Sequence, residues 1–124
     1  MESLKKTADF RNVYQNGKSL ANKYLVMYVM ENNREKNRLG ISVSKKVGNS
    51  VVRHRVTRLI RESYRLHENI FNSGLDIVVI ARICAAEVSY REIKNAMLHL
   101  GKIHGISSSR SVRSEEKTYQ INSR

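Results

Sequence analysis

The sequence KKVGNSVVRHRVTRLIRESYR, at residues 45–65, predicts a helix with one apolar side and one basic side. Gly48-Asn49-Ser50 is typical of a helix start. Apolar or small residues then recur at helical spacing, namely Val52, Val56, Leu59, Ile60 and Ser63. This side of the helix is therefore expected to pack against a core.

The opposite side of the predicted helix carries positive charge. At about 100° per residue, four side chains fall within an arc of roughly 60°: His54, Arg58, Arg61 and Arg65. Arg53 and Arg55 lie on the two shoulders of that arc, and Glu62 is the one acid in the stretch. A helix that is merely solvated usually mixes both signs of charge. Since guanidinium groups bind phosphate in a bidentate way, the pattern favours a nucleic-acid-binding helix.

Composition supports the same interpretation. The chain has 124 residues and a formal net charge of +12, which indicates one small domain and a polyanionic partner. The single cysteine, Cys84, fits a reducing compartment. No apolar run is long enough to span a membrane, and the first ten residues lack the apolar core of a signal peptide. We therefore expect a cytoplasmic protein.

The remaining elements follow from periodicity and from start and stop signals. We predict a helix that starts at a Thr7 cap and stops at Gly17, strands at 23–30 and 38–44, the basic helix to about residue 69, and an interior strand within 75–83. Ser89 and Glu92 form a capping box before a last helix that stops at Gly105. The order α-β-β-α-β-α indicates an α+β fold, an α/β sandwich with three or four strands.

We expect a single nucleic-acid-binding domain at residues 1–106. Residues 107–124 are rich in serine and charge and poor in core residues, so they are predicted to form a flexible tail.

The motif VGNSVVRHRVTRLIRE, with SVSKK in front of it, closely resembles the signature of the bacterial ribonuclease P protein family. Gly48, Asn49, Arg53 and Arg55 fit that pattern, whereas His54 replaces its usual Asn. The resemblance implies the order α-β-β-β-α-β-α, with the basic helix in a βαβ crossover of a ribosomal S5 domain 2-like fold.

The resemblance also implies two RNA-binding surfaces. The first would bind the catalytic RNA through eight residues: Lys45, Lys46, Arg53, His54, Arg55, Arg58, Arg61 and Arg65. The second would be a cleft for the 5′ leader of precursor tRNA, lined by Phe10, Tyr14 and Tyr28, with Ser42 and Ser44 at its floor. Aromatic rings stack on bases of any sequence. The residues alone, without the resemblance, favour a buried aromatic core, in which Tyr24 and Tyr28 share one strand face.

The sequence offers no arrangement for catalysis by the protein itself. His and Cys lack zinc spacing, and the acids are scattered singly, so we assign no catalytic and no metal-binding residue. The resemblance implies one protein copy in a ribonucleoprotein endonuclease that removes the 5′ leader, with Mg²⁺ held mainly by the RNA. The protein alone is then expected to be inactive. The alternative is a basic nucleic-acid-binding regulator, or a ribosome-associated RNA-binding protein without cleavage activity.

Overall fold

A five-stranded mixed sheet forms the centre of the computed structural model, which describes residues 2–107. Its strands are β1 (Glu2–Ser3), β2 (Lys18–Ala21), β3 (Leu25–Glu31), β4 (Arg38–Ser42) and β5 (Leu75–Ala81). Its helices are α1 (Thr7–Asn16), α2 (Ser50–Leu66) and α3 (Tyr90–Ile103). This arrangement confirms the predicted α+β sandwich.

The order of strands across the sheet is β1-β4-β5-β3-β2. Strands β4 and β5 are parallel neighbours, and α2 connects them, so the predicted βαβ crossover is present. Strand β3 pairs antiparallel with β5 on one side and with β2 on the other. The continuous apolar run of β5 is explained by this interior position, which covers most of the strand on both faces.

One prediction about the sheet and one about helix α1 need correction. The prediction of three or four strands was wrong. Glu2 and Ser3 pair in parallel with Arg38 and Leu39 and add a fifth, very short strand. Thr7 is the first residue of α1, and its cap is Lys6, whose side chain makes no capping hydrogen bond. A two-residue strand is too short to show any periodicity in the sequence.

The predicted tail lies outside the described residues, apart from its first residue. The backbone of Ser107 forms an isolated antiparallel bridge with Phe71, so the described chain ends beside the segment that leads into β5.

The helices lie on both faces of the sheet. One cluster of buried side chains joins α2 and α3 to the sheet, and it includes Val56, Ile60 and Tyr64 of α2 and Ile93 and Met97 of α3. A second, smaller cluster joins α1 to the other face through Leu4, Val13, Tyr28 and Val78. The structure therefore has three layers, with α1 alone on its side.

A buried asparagine ties α2 to the sheet. The side-chain amide of Asn37 donates to the Tyr64 hydroxyl at 2.8 Å, and its carbonyl accepts from the backbone N–H of Leu75 at 2.8 Å. The sequence analysis did not assign Tyr64 to the core, yet its ring is fully buried and stacks on Phe71 at 5.3 Å. Because the hydroxyl has a partner, this burial leaves no unsatisfied polar group.

A buried ion pair joins the two parallel strands. Arg38 and Asp76 are opposite each other in the β4–β5 register, and Arg38 donates to both carboxylate oxygens at 2.9 and 2.6 Å. Asn32 donates to the same carboxylate at 2.9 Å. Burial by itself would raise the pKa of Asp76, but the hydrogen bonds from Arg38 and Asn32 and the charge of Arg38 hold that pKa below its usual value. Arg38 also lies 3.6 Å from Asp9, so the pair reaches α1.

We predict that Asp76→Asn lowers the free energy of unfolding at pH 7 by on the order of 3 kcal/mol, because Arg38 then lacks its charged partner in a mostly buried place. Since the folded-state pKa of Asp76 is depressed, its stabilisation is present above the unfolded-state pKa and is lost as the pH falls below about 4. The difference between wild type and variant should therefore shrink in acid. Urea denaturation at several pH values measures both effects.

Glu62→Gln is the matched control, since it removes an exposed ion pair with Arg65 and should change stability little. A difference between wild type and Asp76→Asn that stays constant down to pH 2 would contradict the assignment.

Candidate RNA interface

The start of α2 is fixed by a side-chain cap. The Asn49 side chain accepts a hydrogen bond from the backbone N–H of Val52 at 3.0 Å, which confirms the predicted start. Just before it, the buried Val47 anchors the turn and donates to the Ser44 carbonyl at 3.1 Å. Lys45 and Lys46 are exposed in that turn, beside free N–H groups that favour an anion.

The outward face of α2 comprises His54, Arg58, Arg61 and Arg65, and all four are exposed. Arg65 donates to Glu62 at 2.5 Å, and this hydrogen bond lowers the pKa of Glu62. Within residues 2–107, His54, Arg58 and Arg61 make no ion pair and no side-chain hydrogen bond. The predicted arc is therefore an exposed surface, on which Arg58 and Arg61 carry positive charge that no acid within residues 2–107 pairs with.

The two shoulder arginines differ from that outward face. Arg53 is half-buried, and its Nε has no hydrogen-bond partner among the residues that the structure describes. Arg55 is also half-buried, but it donates to the backbone carbonyls of Ala86 and Val88. Both were predicted to bind the catalytic RNA. The structure brings only four of the six predicted α2 residues to the exposed face.

A second surface lies where α1 packs on the sheet, and we call it the α1 surface. The Phe10 and Tyr14 rings are 6.3 Å apart, and Tyr14 meets the Tyr28 ring edge-on at 5.1 Å. A Cβ atom placed on Gly40 would lie 2.7 Å from the Phe10 ring, so this ring rests directly on the glycine. Phe10 thus covers the face of β4 at Gly40.

The three aromatic residues are not equally accessible. Phe10 and Tyr14 are half-buried, whereas Tyr28 is only 1% exposed and belongs to the core beneath Tyr14. The prediction that Tyr24 shares a strand face with Tyr28 was wrong. Tyr24 lies before β3 in a bend, packs on the α3 side and donates to Glu92 at 3.0 Å.

The floor of the α1 surface contains residues that the sequence analysis did not single out. Ser42 is half-buried and pairs in register with Ile80, which pairs in turn with Val26. Both apolar side chains are partly exposed and pack beside the α1 cluster. Ser44 is exposed just beyond β4. Recognising Ile80 and Val26 required the strand register, which the sequence alone does not provide.

Within the described part of the chain, no cluster of three or more His, Cys, Asp or Glu residues could hold a metal ion. Cys84 is exposed, and its thiol donates to the Lys23 carbonyl at 2.7 Å. Among residues 2–107, no helix is long and apolar enough to cross a membrane.

Comparison with known proteins identifies the family. A family model described as Ribonuclease P matches residues 1–104. The chain belongs to the ribonuclease P protein family. The ribonuclease P protein component of Lachnoclostridium phytofermentans is 66% identical over 108 residues, which cover 87% of this chain and 93% of the relative. That of Alkaliphilus metalliredigens is 59% identical over 97 residues, covering 78% and 87%.

Solved structures of ribonuclease P proteins share the fold. The Staphylococcus aureus RNase P protein superposes with a TM-score of 0.80 at 40% identity, covering 86% of this chain and 98% of that one. The Thermotoga maritima RNase P protein gives a TM-score of 0.77 at 33% identity, covering 83% and 97%. This ribonuclease P protein is therefore an RNA-binding subunit of an endoribonuclease of tRNA processing, and its partner in the ribonucleoprotein is RNA.

We predict that Tyr28→Ala lowers the free energy of unfolding by about 3–5 kcal/mol, the range for truncating a buried aromatic side chain. Phe10→Ala should have a smaller effect because part of that ring already contacts water. Thermal or urea denaturation of the two variants compares them directly. If Tyr28→Ala and Phe10→Ala lowered the free energy of unfolding equally, the described difference in burial between the two rings would be contradicted.

Proposed function

We propose that this subunit binds the catalytic RNA with the outward face of α2. We propose that it binds the single-stranded 5′ leader of precursor tRNA with the α1 surface. The observation that carries the proposal is the outward face itself, where His54, Arg58 and Arg61 have no partner within residues 2–107. Charges that repel one another in the free protein become favourable once phosphates lie between them.

The contact with the catalytic RNA follows from charge and shape. Guanidinium groups on a rigid helix present planar donors to phosphate oxygens without reading base edges. Lys45 and Lys46 extend the positive surface to the start of α2, where helix N–H groups also favour an anion. We therefore assign these lysines and the outward face to the phosphate backbone of the catalytic RNA.

The contact with the leader follows from the α1 surface. Phe10 and Tyr14 expose part of their rings, Ser42 offers a hydroxyl group on the same side of the sheet, and Ser44 is exposed just beyond β4. A single strand could stack its bases on the two rings and lay its backbone toward the serines. Tyr28 supports this surface from below, because its ring meets Tyr14 edge-on.

The chemistry of cleavage belongs to the RNA in this proposal. We expect the Mg²⁺ ions that activate water to be held mainly by RNA phosphates. The protein increases affinity for the precursor and reduces repulsion between two RNAs. We expect one protein copy per catalytic RNA, assembly in the cytoplasm, and no cleavage by the protein alone.

The first test concerns the outward face. Replacing Arg58 and Arg61 together by Ala should weaken binding to the catalytic RNA and make the plot of log affinity against log salt shallower by about one unit per phosphate contact removed. Stability should stay unchanged, since both side chains are exposed. The measurement is a binding titration at several salt concentrations.

Arg34→Ala is the matched control, because Arg34 is an exposed arginine outside α2. An unchanged affinity and slope in the double variant would show that the outward face is only solvated, and the proposal would fail.

The second test concerns the α1 surface. Phe10→Ala or Tyr14→Ala should weaken binding of precursor tRNA to the assembled enzyme by about 1–3 kcal/mol, the contribution of one base–aromatic stack. Affinity for mature tRNA, which has no leader, should barely change. Competition titrations with both tRNAs, at temperatures where each variant is folded, measure the difference.

Tyr24→Ala removes an aromatic ring from the opposite side of the sheet and serves as the control, with no selective effect expected. Equal losses for precursor and mature tRNA in Phe10→Ala would refute the leader assignment.

A further inference from the structure

Both terminal nitrogens of Arg55 donate hydrogen bonds within the protein. Its Nη1 donates to the Ala86 carbonyl at 3.2 Å, and its Nη2 donates to the Val88 carbonyl. The side chain is half-buried, whereas Arg58, on the next turn of α2, is exposed and makes no such contact. Of these two arginines, three residues apart, only Arg55 has hydrogen-bond partners within residues 2–107.

The segment that Arg55 reaches sets the position of α3. Ala85 is fully buried and Val88 is 8% exposed, and both belong to the core between the helices and the sheet. Ser89 follows at once and caps α3 through a capping box with Glu92. Arg55 thus holds the residues immediately before α3 against the N-terminal half of α2.

A phosphate would compete with these contacts for the Arg55 guanidinium. A bidentate contact uses two parallel N–H groups, and here two of the five N–H groups, one on each terminal nitrogen, already donate to carbonyls of the protein. Turning the guanidinium toward a phosphate would leave those part-buried carbonyls without their donor, which is unfavourable for buried polar groups. The exposed Arg58 and Arg61 meet a phosphate without that cost.

We infer that Arg55 is a positioning residue that does not touch RNA: it clamps the residues before α3 to α2, so that the outward face of α2 keeps the orientation in which it binds. This inference rests on the proposed function of that face. It assigns Arg55, which lies within the motif, a role different from that of its exposed neighbours.

The test compares Arg55→Gln with Arg58→Gln, since each substitution removes one charge from α2. Binding of the catalytic RNA is titrated against salt well below the unfolding temperature of each variant. Arg55→Gln should lose affinity several-fold with a nearly unchanged salt slope, whereas Arg58→Gln should lower the slope by about one unit. If Arg55 only stabilised the fold, Arg55→Gln protein that is fully folded would bind the catalytic RNA as tightly as wild type.

Arg55→Lys separates charge from geometry. One ammonium cannot span both carbonyls in the way a planar guanidinium does, so this variant should bind the RNA as weakly as Arg55→Gln. Amide hydrogen exchange of the free protein should also be faster at Val88 and Ser89 in both Arg55 variants, and unchanged in Arg58→Gln.

Each other outcome has a distinct meaning. A slope lowered by about one unit in Arg55→Gln, with affinity largely kept in Arg55→Lys, would show a phosphate contact and overturn the inference. Unchanged affinity and exchange in both Arg55 variants would equally overturn it. An unchanged salt slope in Arg58→Gln would instead count against the proposed function of the outward face. Even then, faster amide exchange together with weaker RNA binding in the Arg55 variants would support the positioning role of Arg55.

Discussion

Burial of one side of α2 is the constraint on which the rest of the structure depends. Val56, Ile60 and Tyr64 are fully buried, and each such side chain contributes about 1.5–3 kcal/mol by leaving water. An exposed ion pair contributes about 0–1 kcal/mol, so the apolar side decides how the helix is rotated about its axis. The direction of His54, Arg58 and Arg61 follows from that rotation. The outward face of α2 is thus oriented by the buried residues on the other side of the helix.

Two groups of arginines among the described residues differ in their contacts. Arg38, Arg55 and Arg82 donate to a carboxylate or to backbone carbonyls and hold neighbouring elements together. Arg58 and Arg61 have no partner within residues 2–107 and repel one another across α2. A ligand that binds only the folded state stabilises it by mass action. Relief of this repulsion by RNA would therefore couple assembly of the ribonucleoprotein to the stability of its protein subunit.

On the opposite face of the sheet, the absence of a side chain at Gly40 shapes the α1 surface. Gly40 has no side chain, so the Phe10 ring can lie directly against β4, and Asp9 reaches Arg38 from the same helix. With α1 seated in this way, Ile80 and Val26 remain partly exposed beside it. The shape of the α1 surface is consequently set by where α1 stops covering the sheet.

The sequence by itself determined the elements that depend on local geometry. The spacing of Val56, Ile60 and Arg58 decides which residues of α2 share a side, and Ser89 with Glu92 fixes the start of α3, because both depend on helical geometry over a few residues. The family resemblance added the third strand of the α-β-β-β-α-β-α order and the crossover, and both are present.

Only the tertiary structure decided what covers each face. Periodicity could not show that Tyr28 is buried while Phe10 is half-exposed, because that depends on α1 packing across the sheet. It could not reveal β1, since two residues carry no pattern. It placed Arg55 on the shoulder of the basic arc, but the carbonyls that Arg55 binds lie 31 and 33 residues further along the chain. Helical spacing fixes the direction of a side chain, whereas contacts between residues distant in sequence determine what it meets there.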